Sequence, residues 1–346
     1  MYPEKVTTVK NVAVLGASGY TGAELLRLLS SHPSFEVGAV TASSQQGRAV
    51  ADLYPSLAAA YPGLRYSANE VASVAGADLV FCALPHGASQ RLVPRLLDEV
   101  GHIVDLAADF RLKDASLYPV WYGEEHTCPE LLAQAVFGLP ELDRSGLPGA
   151  RLVAAAGCYV TAATLALAPL VRAGVVEPAG IVVDAASGAS GAGRKLADTT
   201  QFCAVDEDFT AYGLLSHRHT PEMEQAIGAQ LLFTPHLAPM NRGILATCYA
   251  RPAALQSAPS PLEVLAEAYR GEPFVVVSER SPSTKAALGS NVAHVTARSD
   301  TRTGWVVSLC ALDNLVKGAS GQALQCANLV MGRPETEGLP ISGLQP

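Results

Sequence analysis

Apolar positions in the first half of the chain fall into short runs that alternate with stretches of helical spacing. Val12–Leu15 is an apolar run closed by Gly16, and Gly19–Ser30 then carries Leu25, Leu26, Leu28 and Leu29 on one side, which predicts a strand followed by a helix. Val37–Thr41, Ala77–Leu84 and Ile103–Ala107 predict further strands, and Ser89–Val100 a second helix. The Ala77–Leu84 run is almost unbroken in apolar residues, as a strand buried on both faces should be. Alternation of this kind implies a parallel sheet with crossover helices. The rhythm changes around Arg151–Gly157, where a seam between two domains is expected. Beyond it, Val160–Ala173, Glu222–Ala229, Pro261–Tyr269 and Ala323–Val330 read as helices. Ile181–Asp184, Gly243–Ala250, Phe274–Val277, Val292–Ala297 and Trp305–Leu312 read as strands. Strands with few helices between them predict a mixed or antiparallel sheet. The tail from Gly332, rich in Pro and Gly, is expected to fray.

Composition narrows this picture. With 346 residues, 49% hydrophobic and 16% charged, the chain suits about two well-buried domains and excludes disorder. A net charge of −8 argues against nucleic-acid binding, while leaving room for a local basic pocket. No apolar run is long enough for a membrane span, and Met1–Lys10 lacks a signal-peptide core, so the expected location is the cytoplasm. The 7 cysteines are scattered without a C-x-x-C pair, which suggests neither a disulfide framework nor a zinc site.

Four segments carry candidate chemistry. Gly16-Ala17-Ser18-Gly19-Tyr20-Thr21-Gly22 lies between the first strand and helix, where glycines let a backbone approach a pyrophosphate and a helix N-terminus receives it. An NAD site usually has a carboxylate at the end of the second strand; here Ser43, Ser44 and Arg48 follow instead, which favours the 2′-phosphate of NADP. Cys158 follows Gly157 and opens a helix at the seam. The helix dipole should lower its pKa and favour a nucleophilic thiolate, although a buried structural cysteine is the competing reading. His217 and His219 precede a helix whose N-cap is expected at Thr220, with Pro221 as its first residue and Glu222 in its first turn. A histidine there is biased toward the neutral form of a general base. No third Cys or His ligand lies close in sequence to make the pair a metal site. Arg111 follows a strand end, and Ser187–Lys195 combines N–H donors, hydroxyls and cations in a candidate anion nest. Arg242 is a third cationic position, suited to orienting a carboxylate. Two anion sites suggest a substrate bearing carboxylate and phosphate groups.

With these segments in view, the chain resembles the N-acetyl-gamma-glutamyl-phosphate reductases over nearly its whole length. The likeness rests on Gly16–Gly22, Ala83–Gly87, Ala108–Arg111, Phe137–Glu141, Gly157-Cys-Tyr, Ser187–Arg194, His217–Glu222, Pro235–Gly243 and Lys317–Ala323. One departure is Val160, where the family usually has proline; this should alter backbone stiffness, not thiol chemistry. The resemblance implies an α/β fold of semialdehyde-dehydrogenase type. A Rossmann-type doubly wound parallel sheet over residues 1–156, completed by a C-terminal helix within 318–346, would be joined to an α+β catalytic and oligomerisation domain over 157–317. It also implies NADPH-dependent reduction of N-acetyl-glutamyl 5-phosphate to the 5-semialdehyde and phosphate, through a thioester on Cys158. His217 or His219 would be the acid/base, His217 being preferred, with Glu222 beside them. Leu84, Pro85, His86, Gly87, Ser187, Gly188, Asn314 and Gly318 would join the glycine turn in holding the cofactor. Arg111, Tyr159, Ser190, Arg194 and Arg242 would face the substrate. The partners implied are this small molecule and phosphate, within a homodimer or homotetramer. The competing readings are a sibling enzyme, either aspartate-semialdehyde dehydrogenase or a carrier-linked lysine-pathway reductase, and a redox sensor that binds NADP without catalysis. The Gly157-Cys-Tyr and His217–Glu222 segments disfavour the first, and the sensor has no use for a cysteine beside a histidine pair.

Overall fold

The computed structural model describes residues 9–254 and 259–345. The N-terminal segment read for a signal peptide lies, up to Thr8, outside the described residues, as does Pro346 at the end of the chain.

The first half folds as β1 (Lys10–Leu15), α1 (Tyr20–Leu29), β2 (Phe35–Val40), α2 (Val50–Leu53), β3 (Leu79–Cys82), α3 (Ser89–Glu99), β4 (His102–Asp105), α4 (Leu117–Tyr122), β5 (Val136–Gly138) and β6 (Leu152–Ala155). These strands form one sheet in the order β2-β1-β3-β4-β6-β5, parallel throughout. Its cores explain the unbroken apolar runs. Val12 and Val14 pack into the cluster on one face, while Ala13 and Leu15 pack into the cluster on the other. Both faces being covered, alternation disappears from the sequence.

The second half runs α5 (Cys158–Arg172), β7 (Ile181–Gly188), α6 (Phe202–Val205), β8 (Thr210–Ala211), α7 (His219–Ile227), β9 (Leu231–Ala238), β10 (Ile244–Ala250), α8 (Pro261–Ala268), β11 (Val275–Val277), α9 (Thr284–Ala287), β12 (Ala293–Asp300) and β13 (Trp305–Leu312). Its seven strands lie in the order β11-β12-β13-β10-β7-β9-β8, with parallel and antiparallel pairs mixed. Helices α5, α7 and α8 close one face over a common core that includes Leu165, Met223, Leu265 and Val183. Here the strands do alternate: β10 reads buried and half-buried in strict turn from Ile244 to Ala250.

The chain then returns. A single π-helical turn, Val316–Ser320, leads into α10 (Gly321–Val330), whose Ala323, Leu324, Ala327 and Val330 pack among Val12 and Phe81 of the first sheet and Leu25 of α1. This helix is shorter than the 318–346 segment expected to return. The tail after it is not frayed. Asn328 Nδ2 donates to the carbonyls of Glu335 and Glu337, Asn291 N donates to Pro340 O, and Leu344 N donates to Leu288 O. These bonds dock a stretch that composition alone marks as loose. β7 extends past the expected Ile181–Asp184, running on through Ser187 and Gly188 beside β9. No helix among the described residues is long and apolar enough to cross a membrane.

Candidate active site

A cavity of about 870 Å³ opens between the two sheets. The turns after β3 and β4 line one wall with His86 and Arg111. The N-terminus of α5 supplies Cys158 and Tyr159, and the start of α7 supplies His217 and His219. This is the carboxyl edge of the parallel sheet, where α/β folds bind ligands.

Cys158 is placed by a tight junction. β6 ends at Ala155, and Gly157, with extended backbone angles, caps α5 without a side chain. The Gly157 N–H donates to Glu222 Oε1 at 2.8 Å, and Glu222 Oε2 meets Arg111 Nη1 at 3.3 Å. Arg111 Nη2 in turn donates to Leu106 O at 2.7 Å. No side chain fits at position 157: a Cβ there would lie 2.6 Å from His219 Nε2 and 2.8 Å from Arg111 Nη1. Gly318 is similarly confined, since its Cβ would lie 2.8 Å from Cys158 Cβ. Cys158 is thus held between α5 and the π-helical turn, with the imidazole of His219 against the adjoining Gly157.

The electrostatics differ from the sequence reading. Burial pushes the Cys158 thiol up, to about 11, against the lowering effects of the first-turn N–H groups and Arg111. The helix dipole therefore does not leave a resting thiolate, because desolvation outweighs it here. Both histidines follow expectation in direction. Burial lowers His217 to about 4, helped by Arg218, and burial drives His219 well below its usual value, with His217, Arg111 and Arg218 acting in the same sense. Burial raises Glu222, although Arg111 and the Gly157 N–H oppose it. The two rings are not equivalent. The His219 N–H donates to His217 Nδ1 at 3.1 Å, whereas His219 Nδ1 is buried without a hydrogen-bond partner and its Nε2 faces Gly157. Helix α7 begins at His219, not after a Thr220 cap, so this ring sits in the first turn. Tyr159 packs its edge against both rings, donates to His236 O at 3.0 Å and accepts from the Tyr212 hydroxyl at 3.1 Å.

The glycine turn joins β1 to α1, at the point where the sheet order runs from β1 to β2 on one side and to β3 on the other. Gly16 has φ +77°, and its N–H donates to Thr41 Oγ1 at 3.2 Å. A Cβ on Gly22 would lie 2.5 Å from the Ala17 backbone, so the helix approaches as closely as the motif requires. Ser18 O accepts from the Tyr54 hydroxyl and from Arg194 Nε, both at 2.8 Å, which brings the 187–195 segment to the turn. Gly19, Tyr20 and Thr21 complete the turn into α1, and Thr21 shares a small cavity with Leu106, Arg111 and Gly318. Ser43, Ser44 and Arg48 lie exposed past β2 with no carboxylate among them; Arg48 donates to Gln45 and to Asp52 O. Leu84 and Pro85 line the main cavity. The Gly87 N–H donates to Asp109 at 2.9 Å, and His86 Nδ1 lies 2.6 Å from the same carboxylate.

Of the remaining sequence candidates, Ser187 lines the cavity, and Ser190 accepts a hydrogen bond from Asn314 Nδ2 at 2.9 Å beside it. Gly188 packs against Arg242 N. Arg242 is not brought to the cavity: it meets Glu24 at 3.0 Å and Asp313 at 3.1 Å, and so ties α1 to the end of β13. Its charge is consumed by two buried carboxylates. Arg218 and Tyr212 are among the lining groups that the sequence does not mark as candidates. Arg218 reaches the cavity with its guanidinium 5.8 Å from the Tyr122 ring centre, and Tyr212 covers Tyr159. Arg218 lay inside the quoted histidine segment, but nothing in its spacing separated it from a solvated arginine. Tyr212 sits in a segment without hydrophobic periodicity.

Comparison with known proteins follows the same lines. A profile described as the NAD binding domain of semialdehyde dehydrogenases matches residues 11–150, and one described as the semialdehyde dehydrogenase dimerisation domain matches residues 158–314. Proteins named N-acetyl-gamma-glutamyl-phosphate reductase are similar throughout. That of Rhodospirillum rubrum is 48% identical, covering 97% of this chain and 99% of its own, and that of Magnetococcus marinus is 46% identical, covering 95% and 96%. Among solved structures, aspartate semialdehyde dehydrogenase II of Vibrio cholerae complexed with ASA shares the fold with a TM-score of 0.68 at 15% identity, over 93% of this chain and 98% of that one. The Candida albicans aspartate semialdehyde dehydrogenase with NADP matches with the same TM-score at 16% identity and the same coverage.

Proposed function

This chain belongs to the N-acetyl-gamma-glutamyl-phosphate reductases of the semialdehyde dehydrogenase family, and from that premise we propose how its residues carry the reaction. The enzyme reduces N-acetyl-glutamyl 5-phosphate to N-acetyl-glutamate 5-semialdehyde and phosphate in arginine biosynthesis. Cys158 Sγ is the nucleophile. It attacks the acyl carbon and expels phosphate, leaving a thioester. One hard reduction is thereby divided into two easier steps. A thiol pushed up to about 11 is protonated at neutral pH, so attack requires a base. We assign that role to His219 over His217. Burial keeps its ring neutral, and its Nε2 is the nitrogen turned toward the Gly157–Cys158 junction. The same nitrogen returns its proton to the hemithioacetal oxygen, and collapse of that adduct frees the aldehyde and the thiol. The first-turn N–H groups of α5 steady the developing oxyanion. Glu222 holds Gly157 and Arg111, and so acts as a positioning group.

The Gly16–Gly22 turn suits a dinucleotide pyrophosphate, and Ser43, Ser44 and Arg48 suit a 2′-phosphate, so NADPH is the proposed reductant. When bound, its nicotinamide supplies the hydride for the thioester carbon. Leu84 and Pro85 exclude water from that side of the cavity. Arg111, Arg194, Ser190 and Arg218 are the anion-binding groups proposed for the acyl phosphate and the substrate carboxylate. Residues 1–156 with α10 are proposed as the cofactor unit, 157–317 as the catalytic unit, and the cytoplasm as the location.

The observation that carries this reading is the convergence of Cys158, His219 and Arg111 on Gly157. It is tested in the reverse direction, with N-acetyl-glutamate semialdehyde, NADP and phosphate, following NADPH. Formation that depends on phosphate and is absent with aspartate semialdehyde is the expected result. Cys158→Ser should abolish it while leaving NADP binding intact; turnover by that variant refutes the covalent route.

The chain is further proposed to act as a homodimer or homotetramer. Leu232 and Val276 stand exposed on the second sheet, and Leu196, Phe202, Leu214 and Leu215 are exposed in the stretch of chain whose Thr200, Ala204 and Tyr212 line the cavity. Apolar surface gathered in this way suits a subunit contact. Sedimentation at micromolar concentration should give a multiple of 36.0 kDa, and a monomer would refute it.

A further inference from the structure

We propose that Lys317 and Glu141 form a buried clamp that positions the Cys158 thiol through Gly318, although neither residue touches the cavity with its charge. Lys317 lies on the π-helical turn Val316–Ser320, one residue before the glycine that meets Cys158. Its ammonium donates to Glu141 Oε1 at 2.6 Å and to Gln325 Oε1 at 2.7 Å, and both side chains of the ion pair have no exposed surface. Gln325 Nε2 donates to the same Glu141 oxygen at 2.8 Å, and Asn291 Nδ2 donates to Gln325 Oε1 at 3.0 Å. The Phe274 ring lies under the ammonium, 5.6 Å away.

These partners come from four different stretches of chain. Glu141 follows β5, Phe274 precedes β11, Asn291 precedes β12, and Gln325 sits on α10. The clamp therefore fixes the π-helical turn against both sheets at once. The turn's own contacts reach the chemistry on two sides. Gly318 abuts Cys158, and Ser320 Oγ donates to Thr21 O at 2.8 Å, at the start of the cofactor helix. A single π-turn is a rare insertion, frequently found at functional sites. An ion pair in the interior is a poor source of net stability, and registry is its best-attested use. Here the registry in question is the distance between the thiol, the acid/base imidazole and the cofactor helix. Lys317 is on these grounds a positioning residue.

The proposal rests on Cys158 being the reactive thiol, as in the function proposed above, and the test separates the two. Lys317→Met alone strands a buried carboxylate, so the informative variant is Lys317→Met with Glu141→Gln, which removes both charges at similar volume. It should fold and bind NADPH as the unmodified protein does. Its kcat should fall by about tenfold or more with little change in KM, as small misplacements of reacting groups do. The pH profile of Cys158 alkylation by iodoacetamide, read by mass spectrometry, should be displaced. Alkylation needs no knowledge of the substrate. An inert Cys158 in the unmodified protein would sink the nucleophile assignment itself, whereas a reactive Cys158 with an identical profile and unchanged kcat in the variant would overturn the clamp. Should the double variant fail to fold, Gly318→Ala decides, because it pushes on the thiol directly. A normal kcat and alkylation profile there would equally overturn the proposal.

Discussion

At the scale of single residues, the site is governed by burial more than by local dipoles. Cys158 has the helix N-terminus that sequence reading asks for, yet its thiol is held up, because the same packing that places it removes water. Burial also fixes the sign of one pH effect. His217 titrates near 4 when folded against 6.5 for the free side chain, so the unfolded chain binds more protons between those values. Its contribution to stability is complete above pH 6.5 and is lost as pH falls toward 4. Urea unfolding measured across this window should show stability declining on acidification, and His217→Gln should make the decline shallower. An unchanged slope would contradict a neutral, half-buried His217. The residue scale is also where sequence fell short. Cys158 and the histidine pair stand out by type, whereas Arg218 and Tyr212 join the cavity only through the folding of segments without periodicity. Arg242 shows the reverse case: a cation chosen by its motif, spent on Glu24 and Asp313.

At the scale of elements, the decisive feature is the junction from β6 to α5. Gly157→Ala brings a methyl against His219 and Arg111, within a shell of Glu222 bonds that cannot yield without losing the Gly157 N–H. Overpacking of this kind costs on the order of 2 kcal/mol. The variant should melt lower and lose turnover, with cofactor affinity retained, since the glycine turn lies on a separate element. Loss of cofactor affinity would show that the two elements are not independent. Val160, where relatives of this type are expected to carry proline, is fully buried in the α5 core, and the helix runs unbroken through it. Most elements were readable because both codes were clean: unbroken runs in the parallel sheet, alternation in the mixed one. β9 was not, since Pro235 and His236 interrupt its pattern; its neighbours β7 and β8 supply the pairing that its own residues do not announce. β5 and β6 are short, and Leu152–Ala155 falls where composition suggested a seam.

At the scale of the whole molecule, charge joins what the two sheets separate. Arg242 spans from the loop before β10 to Glu24 on α1 and Asp313 after β13, and both carboxylates are buried. Arg242→Met leaves Asp313 without a counter-charge and Glu24 with Arg27 alone, a loss of about 3 kcal/mol. Differential scanning calorimetry should show a lower melting temperature, together with weaker cofactor binding because α1 loses its anchor. A wild-type melting temperature would mean that the triad is dispensable.

The return of α10 to the first sheet has a consequence for how the molecule is made. Ala323, Leu324 and Val330 belong to the same core as Val12 and Leu25, so β1 waits for α10, which leaves the ribosome long after it. Until then one face of the parallel sheet stays open to solvent, chaperone or neighbour. The mixed sheet can close its own core first, and α10 then seals the sheet that β1 opened.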